Sequence, residues 1–560
     1  MNYLALLKRR GELARFRHVL AILFRYGFGY LIYELKIGEQ LPFVKRLLKK
    51  TEKEGKPLTV GERLRLAFEE LGPTFIKFGQ LLSNRPDLIP PQVVRELSKL
   101  QDRVPSFPLE QARAIIGEEL GKPPEEIFAD FSPVPIAAAS IAQVYRASLH
   151  GGEKVAVKVQ RPGVRELIDT DLNILEALAR GLERYVPQSR AFYPVDLVGL
   201  FRKSITRELD FITEARNAEK FRRNFAGSED IYVPKVYWKH TTGRVLVMED
   251  VEGVKVDDIE RLRAIGVDLE EVAGRGARAF LKQVFVDRFF HADPHPGNFS
   301  ILPDGRLALV DYGIVGRLDS DLLEELSHLL LAIAEWDSKK AARHLMRMST
   351  TDEEVDEDSL RSDLAYLIEG YAGRPLKEIH MGHMVNEIVY IATRYRVRLP
   401  ADLVLLGKAI VTMEGVGRRL DPNFDMVAVS RDFAKRYLLS RFKPEHIRER
   451  LEEMASDLVY LLRELPGEMQ QIFKKITKGR LKIEFEHRGL DTFISEMDKS
   501  SNRLTFGLII AALIIGSSLI TLSDKGPHFL GMPFLGALGY VMAGLLGLWL
   551  IFGIIRSGRL

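Results

Sequence analysis

Apolar positions recur with helical spacing from Gly61 to Leu120, broken at the Pro-rich stretch Arg85 to Pro91 and again at Val104 to Pro108, which predicts a helical extension. Between Phe128 and Val159 the period changes to two. VYRASL, a turn at Gly151 and Gly152, and then KVAVKV form the pattern of a β-hairpin. Helical patterning returns from Val164 to Phe225, strands are expected at IYVPKVYW and RVLVMEDV, and beyond Asp319 the chain reads mostly as helix. The order predicts an α+β, two-lobed body. Its segments are 1–60, a helical extension 61–127, a core 128–320, a helical region 321–502 and a terminal hairpin 503–556.

The hairpin is predicted from two uncharged runs. Leu504 to Leu522 extends roughly 28 Å as a helix, and Phe534 to Ile555, entered through Pro533, roughly 33 Å. Each is long enough to cross a membrane; a buried hairpin of a soluble protein is the competing reading. Gly507 with Ala511, Ala512 with Gly516, and Ala543 with Gly547 have the spacing of small residues that lets helices approach in lipid. Lys499 and Arg503 precede the hairpin and Arg556 and Arg559 follow it, whereas its loop offers only Lys525 against Asp524. This bias places both ends, and the body before them, on the cytoplasmic side of the cell membrane.

Composition adds limits. The net charge of +4 over 560 residues gives no bulk attraction to nucleic acid, and the absence of cysteine excludes disulfides, thiolate zinc sites and a cysteine nucleophile. Charge is uneven, since residues 1–50 carry eleven Lys or Arg against three Glu. Arg9, Arg10, Arg15, Arg17 and Arg25 among Phe16, Leu20, Leu23, Phe24 and Phe28 fit a basic amphipathic helix on anionic lipid; a helix packed on the body fits equally.

The candidate chemistry is nucleotide chemistry. VAVK, ending at Lys158, closes a strand and matches the kinase strand whose lysine contacts phosphates. Downstream, HADPHPGNF sets Asp293 and Asn298 five residues apart, and Asp311 follows thirteen residues later in LVDYG, after a short hairpin over Pro303 to Gly305. Phosphoryl transfer needs a carboxylate at the nucleophile and oxygen ligands holding Mg²⁺ against the phosphates. Asp293 is therefore the candidate base or water-positioning group, and Asn298 and Asp311 the candidate metal ligands of an ATP–Mg²⁺ site. The helix expected over Arg207 to Phe221 offers Glu208, Asp210, Glu214 and Glu219, of which Glu214 is chosen to orient Lys158. RVLVMEDVEG is similar to a kinase hinge, with Met248 behind an adenine pocket and the backbone of Glu249 and Val251 at its edge. His291 and His295 are separated by Pro294 with Pro296 following, so no helix presents both to a zinc ion.

Two features depart from protein kinases. Where a glycine-rich loop would cover phosphate, the chain has Ile136 followed by Ala137, Ala138, Ala139, Ser140, Ile141, Ala142, Gln143 and Val144, whose Cβ atoms restrict backbone approach. After Asp311 to Gly313 the chain passes almost directly into a helix, with no APE motif and no room for a peptide-docking loop. Protein phosphorylation is not expected.

These residues are similar to those of the UbiB family of atypical kinase-like proteins. KFGQ, from Lys77 to Gln80, looks like its KxGQ signature, AAASIAQV like its alanine-rich loop, and Glu208 with Asp210 like its ExD motif. The resemblance runs from about Gly61 to Asp319. It implies a KxGQ helix over the active site with Lys77 and Gln80 facing Glu208 and Asp210, obstructing the place of a peptide. It also implies support of isoprenoid quinone biosynthesis, with membrane lipids or quinone intermediates, and the enzymes that process them, as partners. The expectation is a membrane-anchored ATPase or small-molecule kinase. A phosphotransferase similar to aminoglycoside or choline kinases and a nucleotide-gated scaffold are the alternatives.

Overall fold

A computed structural model of the chain describes residues 10–34, 58–83, 85, 89–100, 105–186, 189–190, 193–349, 355–371, 380–440, 490–523, 527–529 and 532–556. The chain divides into two units, Met1–Arg448 and Glu449–Leu560.

The first unit begins with helix α1 (Arg10–Arg25), followed by α2 (Val60–Leu71), α3 (Pro73–Ser83) and α4 (Pro91–Leu97). Thr59 starts α2 with a capping box: its hydroxyl accepts from the Glu62 N–H, and the Glu62 carboxylate accepts from the Thr59 N–H. Phe16, Val19, Leu20 and Ile22 of α1 are buried in a cluster with Phe68 and Leu71 of α2 and Phe75 and Phe78 of α3. Arg15 donates to Asp171 Oδ1 at 2.8 Å and to the Leu71 carbonyl at 2.7 Å, closing a link between α1, α2 and the core. Of the two readings of this basic helix, the packed one describes α1; residues 1–9 and 35–57 of the basic segment lie outside the described residues.

A five-stranded antiparallel sheet follows α5 (Leu109–Leu120). Strands β1 (Phe128–Phe131), β3 (Ala142–Leu149), β4 (Lys154–Gln160) and β6 (Val245–Glu249) lie in that order, with β2 (Ala137–Ala138) paired to β3. The alternation in VYRASL and KVAVKV sets its two faces. Val155, Val157, Val159, Tyr145, Val245 and Val247 pack on one side with Ala112, Ile115 and Ile116 of α5. Lys158 lies opposite Val144 and Leu246, on the other side.

Three helices come next: α6 (Val164–Tyr185), α7 (Pro194–Glu208) and α8 (Phe211–Asn224). The single helix expected over Arg207 to Phe221 is two. Asp210 interrupts it with extended backbone and caps α8, its carboxylate accepting from the Ile212 N–H and the Thr213 hydroxyl. IYVPKVYW keeps only two strand residues, β5 (Ile231–Tyr232), because Pro234 carries no N–H to continue a ladder.

Helix α9 (Leu269–Phe285) is the centre of the second lobe. Around it lie β7 (Val254–Lys255), β8 (Phe289–His291), the hairpin β9 (Phe299–Ile301) and β10 (Leu307–Leu309), and β11 (Val315–Arg317), which pairs with β8. Helices α10 (Ser320–Ala334), α11 (Ser338–Arg347), α12 (Glu357–Tyr371), α13 (Met381–Arg394), α14 (Ala401–Leu420) and α15 (Met426–Ser440) complete one continuous apolar core with it.

The second unit contains α16 (Leu490–Ser523), the short strands β12 (His528–Phe529) and β13 (Met532–Pro533), and α17 (Phe534–Arg556). Ser500–Ser523 and Phe534–Ile551 are long and apolar enough to cross a membrane. The helices meet on a different seam from the one expected. A Cβ on Gly536 or Gly539 would strike Thr521 or Ser517, whereas one on Gly507, Gly516 or Gly547 would enter open space. Ala543 is the one member of the expected small-residue pairs that is buried. The loop residues Asp524 and Lys525 lie outside the described residues.

Candidate nucleotide and phosphoryl-transfer site

Strand β4 delivers Lys158 and the first turn of α8 delivers Glu214. Both carboxylate oxygens of Glu214 lie 2.8 Å from Lys158 Nζ, and the Glu214 side chain is 5% exposed. Burial works against charge on both partners and raises the Glu214 carboxyl, but two equal contacts to one ammonium decide for an ion pair. The carboxylates of Glu214 and Asp311 outweigh burial at Lys158 and hold its ammonium above the usual lysine range. Burial likewise raises the Asp311 carboxyl, yet Lys158 and the Gly313 N–H, 2.8 Å from Oδ1, bring it below the usual range.

The β9–β10 hairpin gathers the remaining acids and amides. Its register, Phe299 opposite Leu309, sets Asn298 and Val310 side by side, and the Val310 N–H donates to the Asn298 carbonyl at 3.1 Å. Asn298 donates from Nδ2 to the Asp293 carbonyl at 3.0 Å, which turns its amide and fixes the loop. His291 joins the two motifs: its Nδ1 accepts from the Asp293 N–H at 3.1 Å, and its Nε2–H donates to the Asp311 carbonyl. Burial keeps this imidazole below its ordinary pKa, consistent with a neutral ring using one nitrogen each way. His295 caps the turn at Pro296–Asn298 by accepting from the Gly297 N–H. The two histidines thus have structural partners.

Asn298 and Asp311 carry side-chain oxygens and flank one end of the β9–β10 hairpin. Mg²⁺ is commonly held by one or two protein oxygens with phosphate and water completing its shell, so this donor set fits such an ion.

The other expected residues divide. Lys77 of α3 forms an ion pair with Glu208 at the end of α7, as the KxGQ resemblance implies. Gln80 and Asp210 also have partners of their own. Gln80 donates to the Leu100 carbonyl at 3.2 Å, one turn along α3 from Lys77, and Asp210 is spent on capping α8. Gly79 is fixed by packing, since a Cβ there would sit 2.3 Å from Leu100 and 2.8 Å from Phe68.

The alanine-rich segment is a tight hairpin rather than an open loop. Ile136 N–H donates to the Val144 carbonyl, Ala139 N–H to the Ala142 carbonyl, and the Arg161 guanidinium to the Ala139 carbonyl. The β3–β4 register puts Ala142 and Val144 on the Lys158 face. The side chain of Gln143 faces the other way, accepting from the Tyr145 hydroxyl at 2.6 Å, and Ser140 and Ile141 are buried, Ile141 within the α1–α3 cluster. Ala137 and Ala138 form β2, and Ile136 is exposed. At the expected hinge, Met248 is buried on the Lys158 side of β6 by alternation with Val247. The Glu249 side chain accepts from the Tyr232 hydroxyl and its N–H donates to the Lys235 carbonyl. Val251, which follows β6, is half-buried.

Two cations at the catalytic loop are absent from the motifs. Lys255 donates to the Gly297 carbonyl at 2.6 Å, and Lys408 of α14 lies 3.0 Å from Asp293 Oδ1. Neither belongs to a local pattern, so spacing carried no signal for them.

The chain was compared with known proteins. The model of the ABC1 atypical kinase-like domain matches residues 99–345, that of the UbiB helical domain residues 364–425, and that of the ABC1/UbiB kinase-like C-terminal domain residues 488–556. A probable protein kinase UbiB of Marinobacter nauticus is 37% identical over 84% of this chain and 86% of its own length. An uncharacterized protein of Clostridium pasteurianum, from the 5′ region of hydrogenase 1, is 34% identical over 98% of this chain and 99% of its own. A solved complex of Rv3197 with erythromycin, from Mycobacterium tuberculosis, covers 63% of this chain and 90% of its own at 24% identity and a TM-score of 0.44. With relatives at this identity over most of its length, the chain belongs to the UbiB family of atypical kinase-like proteins.

Proposed function

We propose that this protein is a membrane-anchored, ATP- and Mg²⁺-dependent kinase-like enzyme that supports isoprenoid quinone biosynthesis of the ubiquinone type, acting on small-molecule or lipid intermediates. The observation that carries the reading is the assembly of Lys158, Glu214, Asp293, Asn298 and Asp311 around one hairpin and one strand. Lys158 would hold phosphate, oriented by Glu214, and Asn298 and Asp311 would hold Mg²⁺, which when bound offsets the charge of the phosphates. Asp293 would take the proton of the attacking hydroxyl or position a water.

Lys77 against Glu208, and the short passage from Gly313 to the start of α10, favour a small acceptor over a peptide. The quinone assignment rests on family membership and on relatives called probable protein kinase UbiB. The anchor rests on α16 and α17, and cytoplasmic placement of the body on the positive flanks of that hairpin.

The purified full chain in lipid should release phosphate from ATP, or transfer it, only with Mg²⁺. Asp311→Asn should abolish this turnover while the fold, read by melting temperature, persists. Unchanged turnover in Asp311→Asn would overturn the reading. Phosphate appearing in a lipid-extracted pool rather than in water would distinguish kinase from ATPase.

A further inference from the structure

The catalytic loop HADPHPGN contains neither lysine nor arginine, although it carries the carboxylate at which phosphoryl transfer would occur. Charge builds on the oxygens of a transferring phosphoryl group, and a preorganised cation beside them is a standard way to stabilise it. Lys158, oriented by Glu214, would serve the nucleotide phosphates, and Lys77 pairs with Glu208. At the carboxylate itself the cation comes from far along the chain: Lys408, 115 positions after Asp293, places Nζ 3.0 Å from Asp293 Oδ1.

Lys408 is held there by its helix. On either side of it along α14, Leu406, Ala409 and Met413 are buried in the apolar core. A Cβ on Gly276 of α9 would lie 3.6 Å from Met413 Cε, so α14 is seated against the central helix of the lobe. At its start, Asp402 accepts from the Arg317 N–H of β11 at 3.2 Å, and β11 pairs with β8, whose last residue is His291. The helix is therefore registered against the strand that leads into the catalytic loop. Lys408 and Asp293 side chains are 32% and 35% exposed, so the pair borders solvent where an acceptor would enter.

We propose that Lys408 is a positioning residue of the phosphoryl-transfer site. It holds the Asp293 carboxylate in place for the acceptor, so that the helical segment matched at residues 364–425 completes a site whose other groups lie within residues 99–345. In the step it serves, a bond forms from the acceptor oxygen to the γ-phosphorus as the bond from that phosphorus to the bridging oxygen of ADP breaks. The acceptor's proton passes to Asp293, whose carboxylate Lys408 holds in line with the acceptor until that transfer. This inference rests on the proposed Mg²⁺–ATP chemistry.

The test uses the full chain in lipid with Mg²⁺–ATP, comparing wild type with Lys408→Met, Lys408→Arg, Asp293→Asn and the double variant Asp293→Asn/Lys408→Met. Lys408→Met should lower kcat by about 10- to 100-fold, with ATP affinity from equilibrium binding and melting temperature unchanged. Lys408→Arg should recover a large part of the lost rate. The double variant should be no slower than Asp293→Asn, because the two groups act as one unit. A Lys408→Met protein with wild-type kcat, or one whose loss adds fully to that of Asp293→Asn, overturns the role of Lys408. If Lys408→Met fails to fold, Lys408→Arg and Lys408→Gln supply the same comparison. Absence of Mg²⁺-dependent turnover in the wild type would instead overturn the phosphoryl-transfer reading, and this inference with it.

Discussion

Two lysine–glutamate pairs flank one helix break. Lys158 with Glu214 joins a strand to a helix within the core, whereas Lys77 with Glu208 joins α3 of the α1–α4 cap to the end of α7. The two glutamates are only six residues apart, yet Asp210 separates them into α7 and α8 and aims them at different modules. The same ion-pair chemistry serves two places, and under the proposed function one pair would orient a phosphate contact while the other would close the acceptor side. What decides is which element supplies the lysine.

The largest contrast should come from the lysines themselves. Lys158→Met should cost about 100- to 1,000-fold in kcat for Mg²⁺–ATP turnover, whereas Lys77→Met should leave ATP affinity intact and raise turnover with an added acceptor by a few-fold. Equal losses in the two variants would erase the distinction between cradle and cap. The next effect concerns how the cap is held. Asp171 is fully buried against Arg15, and Asp171→Ala should destabilise the protein by about 3 kcal/mol by removing the carboxylate that neutralises the part-buried arginine. Denaturant titration checks this, and a variant within about 0.5 kcal/mol of wild type would make the cap independent of that link.

The smallest expected effect is pH dependence on the core side. Burial depresses His291, so below the ordinary histidine value of 6.5 the unfolded chain takes up a proton that the folded loop resists. More protons bound in the unfolded state means stability falls as pH falls, by up to about 1.4 kcal/mol per pH unit until the folded ring itself titrates. A protonated Nδ1 would also face the Asp293 N–H donor to donor. His291→Gln should flatten this slope between pH 6.5 and the folded value, read by melting temperature across pH; an unchanged slope would place the dependence elsewhere.

The sequence was most informative where partners are close along the chain or share a ladder. Lys158, Glu214 and the interval from Asp293 to Asp311 were legible because strand alternation, one helical turn and one short hairpin set them. Lys408 was not, since a lysine on a long helix carries no mark of the loop it will meet after 115 residues. Asp210 came in through the resemblance of Glu208 and Asp210 to an ExD motif; its second place, as the N-cap of α8, appears only in the backbone break at 209–210. Gln80 fell one helical turn beyond Lys77 and met a backbone carbonyl instead. In the terminal hairpin, spacing identified small residues but not the seam, because every face of an apolar helix carries some, and Gly536 and Gly539 took the place expected of Gly507, Gly516 and Gly547.

The break at Asp210 also limits how this chain can change length through descent. One residue inserted or deleted between Asp210 and Glu214 turns the glutamate by about 100° around α8 and removes it from Lys158. A change between Glu208 and Asp210 leaves that cap intact, because Asp210 and Ile212 keep their spacing, and instead shifts Glu208, with its ion pair to Lys77, relative to α8. Insertions in surface connections such as the turn at Gly151 and Gly152 carry no such penalty. A fixed separation of six positions between Glu208 and Glu214, rather than any one side chain, is what the two pairs jointly demand.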